Sequence, residues 1–250
     1  MKPMKMLRAV FAGAALSFLA SSAQATLFDR GAGLIYDDVF NVTWLQDPYY
    51  ARTSGYDADG KMGWAQAKQW VDGLSYHDSV RGVDYSDWRL PQMHPFPAQC
   101  NDSYNGGQCG LNVSPASSEL AYMYYVTFGN ISPFDSRGQQ LPYGTPWGLV
   151  DDPAQPGDES MFVHLPYGGG TANSAFWMDG AYSQSFAWFF DLSNGYQGVT
   201  YKTFDYLVPW AVRDGDVAAV SAELPEPSTL ALSALLLAGV VHGRRRARAD

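Results

Sequence analysis

Asp87-Trp88-Arg89-Leu90-Pro91 is the stretch that constrains the fold most strongly. Successive side chains of a strand point to opposite sides, so Trp88 and Leu90 are expected on one buried face. Arg89 then points the other way, where its guanidinium can pair with a carboxylate. Pro91 lacks a backbone N–H and is expected to end the strand. The stretch predicts a structural element of the core, with no ligand of its own.

Apolar spacing on both sides of this stretch predicts short strands and a first helix. Residues 34–36 and 42–45 are apolar runs typical of strands. A helix is predicted over residues 62–75, with fraying at Gly73. Its buried stripe is Trp64, Ala67, Val71 and Leu74.

A second helix is predicted over residues 118–128. Ser117 is its expected N-cap, Glu119 is favourable in the first turn, and Gly129 is the stop. Its buried stripe is Leu120, Met123, Tyr124 and Phe128.

The last third predicts a β-meander rich in aromatic and β-branched residues. Its strands are expected at residues 175–178, 186–192, 196–201 and 206–213. Asn194-Gly195 is a strong hairpin signal, and Pro209 makes the fourth strand an edge or bulged strand. Two helices, antiparallel strands and long loops, including residues 131–174, indicate an α+β fold.

Several short motifs follow one another in a familiar order. They are Leu34-Ile35-Tyr36-Asp37 with Val42-Thr43-Trp44-Leu45, Trp64-Ala65-Gln66-Ala67, Asp87-Trp88-Arg89-Leu90-Pro91, Ser118-Glu119-Leu120 and Trp210-Ala211-Val212-Arg213. Over residues 33–216 the chain resembles the Legionella collagen-like protein C-terminal domain family, and Trp-Arg-Leu-Pro is the most specific mark. That family looks like a relative of the C-type lectin-like fold. The resemblance implies a single lectin-like domain that serves extracellular adhesion or glycan binding, with no general catalytic mechanism.

The two cysteines, Cys100 and Cys109, are separated by a polar loop. Because the two ends of the chain carry the export signals described next, this spacing predicts one disulfide, which stabilises a loop of this length by about 2 to 3 kcal/mol. A redox or metal pair is the alternative, but the spacing is wider than Cys-x-x-Cys. The loop is an insertion relative to the simplest pattern of the resembled family.

The C-terminal segment, residues 221–250, has three parts of a sorting tail. Pro225-Glu226-Pro227 precedes an apolar run at 230–241 and the arginines at 244–246. Residues 228–241 span roughly 21 Å as a helix, short against a bilayer core of about 30 Å. The tail resembles the PEP-CTERM sorting signal of Gram-negative bacteria that make exopolysaccharide. The resemblance implies a transmembrane sorting helix that anchors the chain transiently in the inner membrane until an exosortase removes it. An ordinary tail anchor is the alternative.

The N-terminal segment, residues 1–25, has the features of a secretory signal peptide. Basic residues precede an apolar stretch, and Ala23-Gln24-Ala25 supplies the small-x-small cleavage pattern, with Ala23 and Ala25 at the recognised positions. The domain between the two sorting segments is therefore expected at residues 26–220.

The expected mature chain, residues 26–226, is strongly acidic. Nine Lys and Arg stand against 24 Asp and Glu, a formal charge of −15. Such a surface repels phosphate backbones, so nucleic acid is not an expected partner.

The loop at residues 55–62 invites two ligand hypotheses. It approaches the phosphate-binding P-loop pattern, but Met62 replaces the magnesium-binding Ser or Thr, so nucleotide binding is not expected. Asp57 and Asp59 open a calcium-loop pattern that lacks its terminal Glu. Structural calcium is the weaker alternative to solvated turn carboxylates. Residues 151–159 form a second acidic loop with the same two interpretations.

Catalytic signatures are missing from the sequence. His77, His94 and His164 have no neighbours in zinc or triad spacing, so no enzyme and no cofactor are expected. The sequence predicts an exported surface or matrix protein that binds extracellular polysaccharide. An exported enzyme on a scaffold like that of the formylglycine-generating enzymes, and a purely structural matrix component, are the alternatives.

Overall fold

The computed structural model describes residues 26–149, 158–166 and 174–218. This part of the chain combines few helices with mostly antiparallel sheets, which confirms the α+β prediction. The strands are β1 (Leu27–Asp29), β2 (Leu34–Asp37), β3 (Val42–Leu45), β4 (Tyr76–Asp78), β5 (Val83–Tyr85), β6 (Ala175–Ala181), β7 (Phe186–Asp191), β8 (Tyr196–Tyr201), β9 (Val208–Pro209) and β10 (Val212–Asp214). The helices are α1 (Tyr50–Thr53), α2 (Trp64–Asp72) and α3 (Glu119–Tyr122), which continues as a π-helical stretch over Met123–Thr127. Short 3-10 turns span Pro115–Ser117 and Asp158–Met161. The predicted signal peptide and sorting segment lie outside the described residues, as do Asp151 and Asp152 of the second acidic loop.

The first sheet joins the beginning and the end of the described chain. Its strand order is β1-β2-β3-β10, and all neighbours are antiparallel. Arg30, just after β1, donates two hydrogen bonds of 2.9 and 2.6 Å to the Asp216 carboxylate beyond β10. The strands predicted at residues 34–36 and 42–45 are confirmed as β2 and β3.

The second four-stranded sheet has the order β8-β7-β6-β9. β6, β7 and β8 form an antiparallel meander, with Asn194-Gly195 in the β7–β8 hairpin. The fourth predicted strand, residues 206–213, is wrong because that stretch divides between two sheets. β9 pairs in parallel with β6, whereas β10 pairs with β3 in the first sheet. Pro209 does lie at a sheet edge, as expected.

Trp210 explains why the chain crosses between the sheets at this point. Its side chain is fully buried, and its ring centroid lies 4.8 Å from that of Trp44 and 5.6 Å from that of Phe176. Its indole N–H donates a 2.8 Å hydrogen bond to the Leu45 carbonyl. Burying a large ring whose N–H is hydrogen-bonded lowers the free energy of folding substantially. The passage of residues 206–213 from one sheet to the other is therefore favoured over one continuous strand.

α2 confirms the first predicted helix with narrower bounds. It ends at Asp72, and Gly73 is its C-cap residue. The buried side of the helix is formed by Ala67, Trp70 and Val71, while Trp64 is only half-buried. Helical spacing therefore predicted the helix correctly, but the prediction that Trp64 is buried is wrong.

The second predicted helix begins one residue later than expected. Ser118, not Ser117, is the N-cap of α3, since its hydroxyl oxygen accepts the Ala121 N–H at 2.9 Å. Ser117 belongs to the preceding 3-10 turn, and its hydroxyl accepts from the Gln197 amide at 3.0 Å. The predicted stripe of Leu120, Met123, Tyr124 and Phe128 is buried.

Residues 87–91 form a bridge between elements instead of a strand. Trp88 and Leu90 are both buried. The prediction that β-pairing ends at Pro91 is wrong. Backbone pairing resumes at Gln92 and Met93, with partners in other elements. The isolated β-bridges of this region are Arg89 to Val212, Gln92 to Asp179 and Met93 to Ser118.

The predicted disulfide between Cys100 and Cys109 is present, with the two Cα atoms 4.8 Å apart. The loop that it closes is fixed to β8 through Gln197, which is fully buried. The Gln197 backbone exchanges hydrogen bonds of 3.0 and 2.8 Å with Gly110, and its side-chain oxygen accepts from the Ser118 hydroxyl at 2.6 Å. One buried amide thus joins the loop, the sheet and the start of α3.

Candidate functional site

Four aromatic rings form a continuous row at one end of the second four-stranded sheet. We call Phe186, Tyr201, Phe204 and Tyr206 the aromatic ridge. Successive ring centroids lie 4.4, 6.5 and 6.0 Å apart. The last three side chains are 53, 43 and 62% exposed. Because folding buries most large aromatic side chains, a row that remains exposed is a candidate binding surface.

Strand register and a tight turn build the ridge. Phe186 in β7 lies directly opposite Tyr201 in the edge strand β8. The chain then turns, and the Phe204 N–H donates to the Tyr201 carbonyl at 2.9 Å. The turn presents Phe204 and Tyr206 beyond the end of the sheet, so backbone hydrogen bonds set the spacing of the rings.

Lys202 connects the aromatic ridge to α2. Its ammonium lies 4.7 Å from the Trp64 ring centroid, close enough for a cation–π contact. The Trp64 backbone N–H donates to the Lys202 carbonyl at 2.9 Å, and the Trp64 indole N–H donates to the Met178 carbonyl at 3.0 Å. Gly63 permits this approach, since a Cβ there would lie 3.0 Å from the Lys202 oxygen.

A cleft of about 240 Å³ opens at the same end of the sheet, beside the last residues of β6. Phe96, which is 55% exposed, forms one wall. Its ring packs against the backbone of Gly180, whose φ is +130° and where a Cβ would lie only 2.8 Å from the ring. The remaining lining residues are Gln92, Met93 and Asp179. Ridge and cleft together can hold a ligand by stacking and by hydrogen bonds.

The motif at residues 87–91 lies at a buried ionic centre rather than at this surface. Arg89 donates hydrogen bonds of 2.9 and 2.7 Å to the Glu119 carboxylate and of 3.0 and 2.6 Å to that of Asp214. Burial raises the pKa of Glu119, but His94 and the Arg89 guanidinium overcome that effect and hold the pKa below its usual range. The outer member of the motif, Asp87, pairs with the Arg213 guanidinium at 2.8 Å.

Asp57 and Asp59 shape the turn that contains them. One Asp57 oxygen accepts the N–H groups of Asp59 and Gly60 at 3.1 and 2.9 Å, and Asp59 accepts that of Lys61 at 3.1 Å. Within residues 26–149, 158–166 and 174–218, no group of three or more His, Cys, Asp or Glu side chains is arranged to hold a metal ion. These bonds are those of polar turns, and calcium binding at this loop stays a prediction.

Three of the four histidines, His77, His94 and His164, lie among the described residues. His77 lies 2.7 Å from Asp84, His164 lies 3.2 Å from Asp47, and His94 lies 3.8 Å from Glu119. Each of these histidines therefore lies near a different carboxylate. In the described part of the chain, no two of them share a partner.

Sequence reasoning missed the ridge because it assigned Phe186, Tyr201 and Tyr206 to three predicted strands, with no sign that their rings meet. The available signal was three aromatic residues close together: Tyr201 at the end of a strand, and Phe204 and Tyr206 in the segment after it. Phe96 and Asp179 carried no comparable signal, because their proximity depends on how residues 91–93 dock against β6.

Comparison with known proteins identifies one region of the chain. The model of the PEP-CTERM protein-sorting motif matches residues 223–246. No curated protein and no solved structure shows significant similarity to the chain. Among the residues that the structure describes, no helix has the length and apolar character needed to cross a membrane. The chain thus carries a PEP-CTERM signal, which implies export, transient membrane anchoring and exosortase processing before it reaches the cell surface or the exterior.

Proposed function

We propose that the processed protein is a non-enzymatic surface or matrix component that binds extracellular polysaccharide through the aromatic ridge. The observation that carries this proposal is the continuous row of four rings from Phe186 to Tyr206, of which Tyr201, Phe204 and Tyr206 are exposed. Pyranose rings have C–H faces that stack on aromatic faces, whose π electrons are negatively polarised. A row of several rings suits a polymer better than a single small molecule.

The setting of the ridge supports a sugar polymer. Lys202 and Asp205 lie on the same turn as the exposed rings and offer polar groups at the rim of the apolar surface. The expected mature chain has a formal charge of −15, which disfavours strongly anionic polymers. A neutral or weakly charged polysaccharide fits both features.

We further propose that residues 26–220 form one lectin-like domain. The support is the order of motifs that resembles the Legionella collagen-like protein C-terminal domain family, together with the mixed α+β architecture. In this proposal the ionic centre around Arg89 stabilises the domain, and binding takes place at the end of the second four-stranded sheet.

The enzyme alternative gains no support at the cysteines. An unpaired cysteine in a pocket would have favoured it, but the chain has two cysteines and they are joined to each other. A purely structural matrix role predicts no direct glycan binding, so the experiment below distinguishes it from the proposal.

The test uses protein exported and processed by cells that produce it. We expect the folded wild type to retain the secreted polysaccharide in a pull-down and to bind members of a glycan array, each measured with and without calcium. The double variant Tyr201→Ala/Phe204→Ala should retain at least tenfold less. Tyr143→Ala is the matched control, since Tyr143 is fully exposed and outside the ridge. Uniform absence of binding by folded wild type, or unchanged binding by the double variant, would refute the proposal.

A further inference from the structure

We infer that the cleft beside β6 is a subsite for one neutral pyranose ring with adjacent hydroxyl groups, on the same polymer that lies on the aromatic ridge. The inference rests on the proposed function and adds the ligand class of a second, separate site. It starts from the five residues that line the cleft: Gln92, Met93, Phe96, Asp179 and Gly180.

The polar groups of the cleft match the needs of a diol. Asp179 uses one carboxylate oxygen, Oδ1, to accept from the Lys68 ammonium at 3.0 Å. Within the part of the chain that the structure describes, its Oδ2 and the Gln92 side-chain amide make no hydrogen bond with protein groups. A carboxylate oxygen accepts from one hydroxyl, and an amide both donates and accepts. Two neighbouring hydroxyls can therefore be bound together.

The apolar groups supply the stacking face. Phe96 is exposed, packs against Gly180 and lines the cleft, so its ring is available to a ligand there. Met93 is buried below. An aromatic wall opposite hydrogen-bonding side chains fits the two chemical characters of a sugar ring, its C–H face and its hydroxyl rim.

The backbone holds these groups in place before any ligand arrives. The Asp179 N–H donates to the Pro91 carbonyl at 2.6 Å, within the β-bridge that pairs Gln92 with Asp179. The pairing of β6 with β7 changes register between Trp177 and Ala181, and such a bulge redirects side chains. Lys68 of α2 then fixes the carboxylate. A site ordered in advance loses less entropy on binding.

The cleft and the ridge lie at one end of the same sheet. The cleft residues Asp179 and Gly180 are at the end of β6, and Phe186 begins the adjacent strand β7. Between them, the Tyr182 N–H donates to the Phe186 carbonyl at 2.9 Å. Trp64 and Lys68, four residues apart on α2, contact Lys202 of the ridge turn and Asp179 of the cleft, respectively. One polymer can therefore follow α2 from ridge to cleft.

The charge of the cleft predicts its selectivity. Lys68 is already paired, and the remaining Asp179 oxygen would face the carboxylate of a uronate sugar. Like charges at short distance repel, so neutral sugars are preferred.

The experiment titrates the processed full domain with neutral methyl pyranosides and with the matching methyl uronates, followed by calorimetry or by nuclear magnetic resonance. We expect at least one neutral probe with adjacent hydroxyls to bind, and its uronate to bind at least tenfold more weakly. Phe96→Ala and Gln92→Ala should each lower the affinity for the neutral probe at least fivefold and leave the melting temperature of the protein unchanged. Asp179→Asn should reduce the difference in affinity between neutral and uronate probes, because it removes the negative charge that repels the uronate. Tyr201→Ala should leave binding of the small probe intact.

The outcomes separate this inference from the proposed function. Polysaccharide retention that depends on Tyr201 but not on Phe96, Gln92 or Asp179 overturns the cleft subsite and leaves the ridge standing. Folded wild-type protein that binds the small probe but retains no polymer supports the cleft and refutes the ridge. Wild-type protein that binds none of the pyranosides, or binds uronates as tightly as neutral sugars, overturns the inference.

Discussion

The ionic centre around Arg89 and the aromatic ridge use polar and aromatic side chains in opposite ways. Glu119 is fully buried, and it accepts two hydrogen bonds from Arg89 and a third, of 2.8 Å, from the Gln92 backbone. Tyr201, Phe204 and Tyr206 each expose about half of their surface to solvent. A charged group with every bond made inside the protein has little left to offer a ligand, whereas exposed rings contribute little to folding. The ionic centre is thus expected to matter for stability, and the ridge for the proposed binding.

The largest expected effect comes from breaking the ionic centre. Arg89→Leu leaves the Glu119 carboxylate buried without its partner, which should lower the free energy of unfolding by about 3 to 5 kcal/mol. Urea denaturation measures this loss, with Arg137→Leu as an exposed control. If the variant does not fold, Arg89→Leu/Glu119→Leu should recover part of the loss. A cost near zero for Arg89→Leu would contradict a structural role for the centre.

The next effect concerns the loop that is docked on β8. Replacing both Cys100 and Cys109 with Ser should lower the free energy of unfolding by about 2 to 3 kcal/mol, because the disulfide restricts the unfolded chain. Thermal denaturation of oxidised wild type, reduced wild type and the double variant checks this, and the last two should coincide. A double variant as stable as the oxidised wild type would show that the Gln197 contacts alone hold the loop.

A smaller effect should depend on pH. Burial raises the pKa of Asp37 from its usual 3.8 to about 6, although the Val39 and Phe40 N–H groups oppose the rise. The folded state therefore binds the proton more tightly than the unfolded state does. The stability gained from this proton is fully present below about pH 4 and is lost as the pH rises through 6.

Asp37→Asn isolates that contribution. Relative to wild type, the variant should gain on the order of 2 kcal/mol of stability between pH 4 and pH 7, because Asn pays no cost for buried charge. Denaturation curves for both proteins across this range give the difference. A difference that is flat with pH, or that falls as the pH rises, would show that burial does not raise the pKa of Asp37 in the fold.

The smallest expected effect on stability is at the ridge. Phe204→Ala and Tyr206→Ala should each change the free energy of unfolding by less than about 0.5 kcal/mol, since both rings are largely exposed. The same variants are expected to lose polysaccharide retention. A stability cost as large as that of Arg89→Leu would remove the distinction between the two regions.

Local signals in the sequence were sufficient for several elements. Helical spacing found α2, Asn194-Gly195 marked the β7–β8 hairpin, and two cysteines in an exported chain indicated their own pairing. Each of these depends on residues close together in the chain, so neighbouring residues carry the information. The errors arose where distant contacts compete with local preference, as at Ser117 and Ser118, where Gln197 helps to decide which hydroxyl caps the helix.

The amino-acid sequence by itself indicated the PEP-CTERM sorting segment and an acidic, aromatic-rich chain of α+β class. Only the tertiary structure showed that residues 206–213 divide between two sheets to bury Trp210, that Arg89 reaches Glu119 and Asp214, and that Lys68 reaches Asp179 across 111 positions. The reason is physical. Sorting signals and local spacing are recognised along the chain, whereas a buried ion pair, a crossing strand or a binding cleft exists only when packing brings remote residues together.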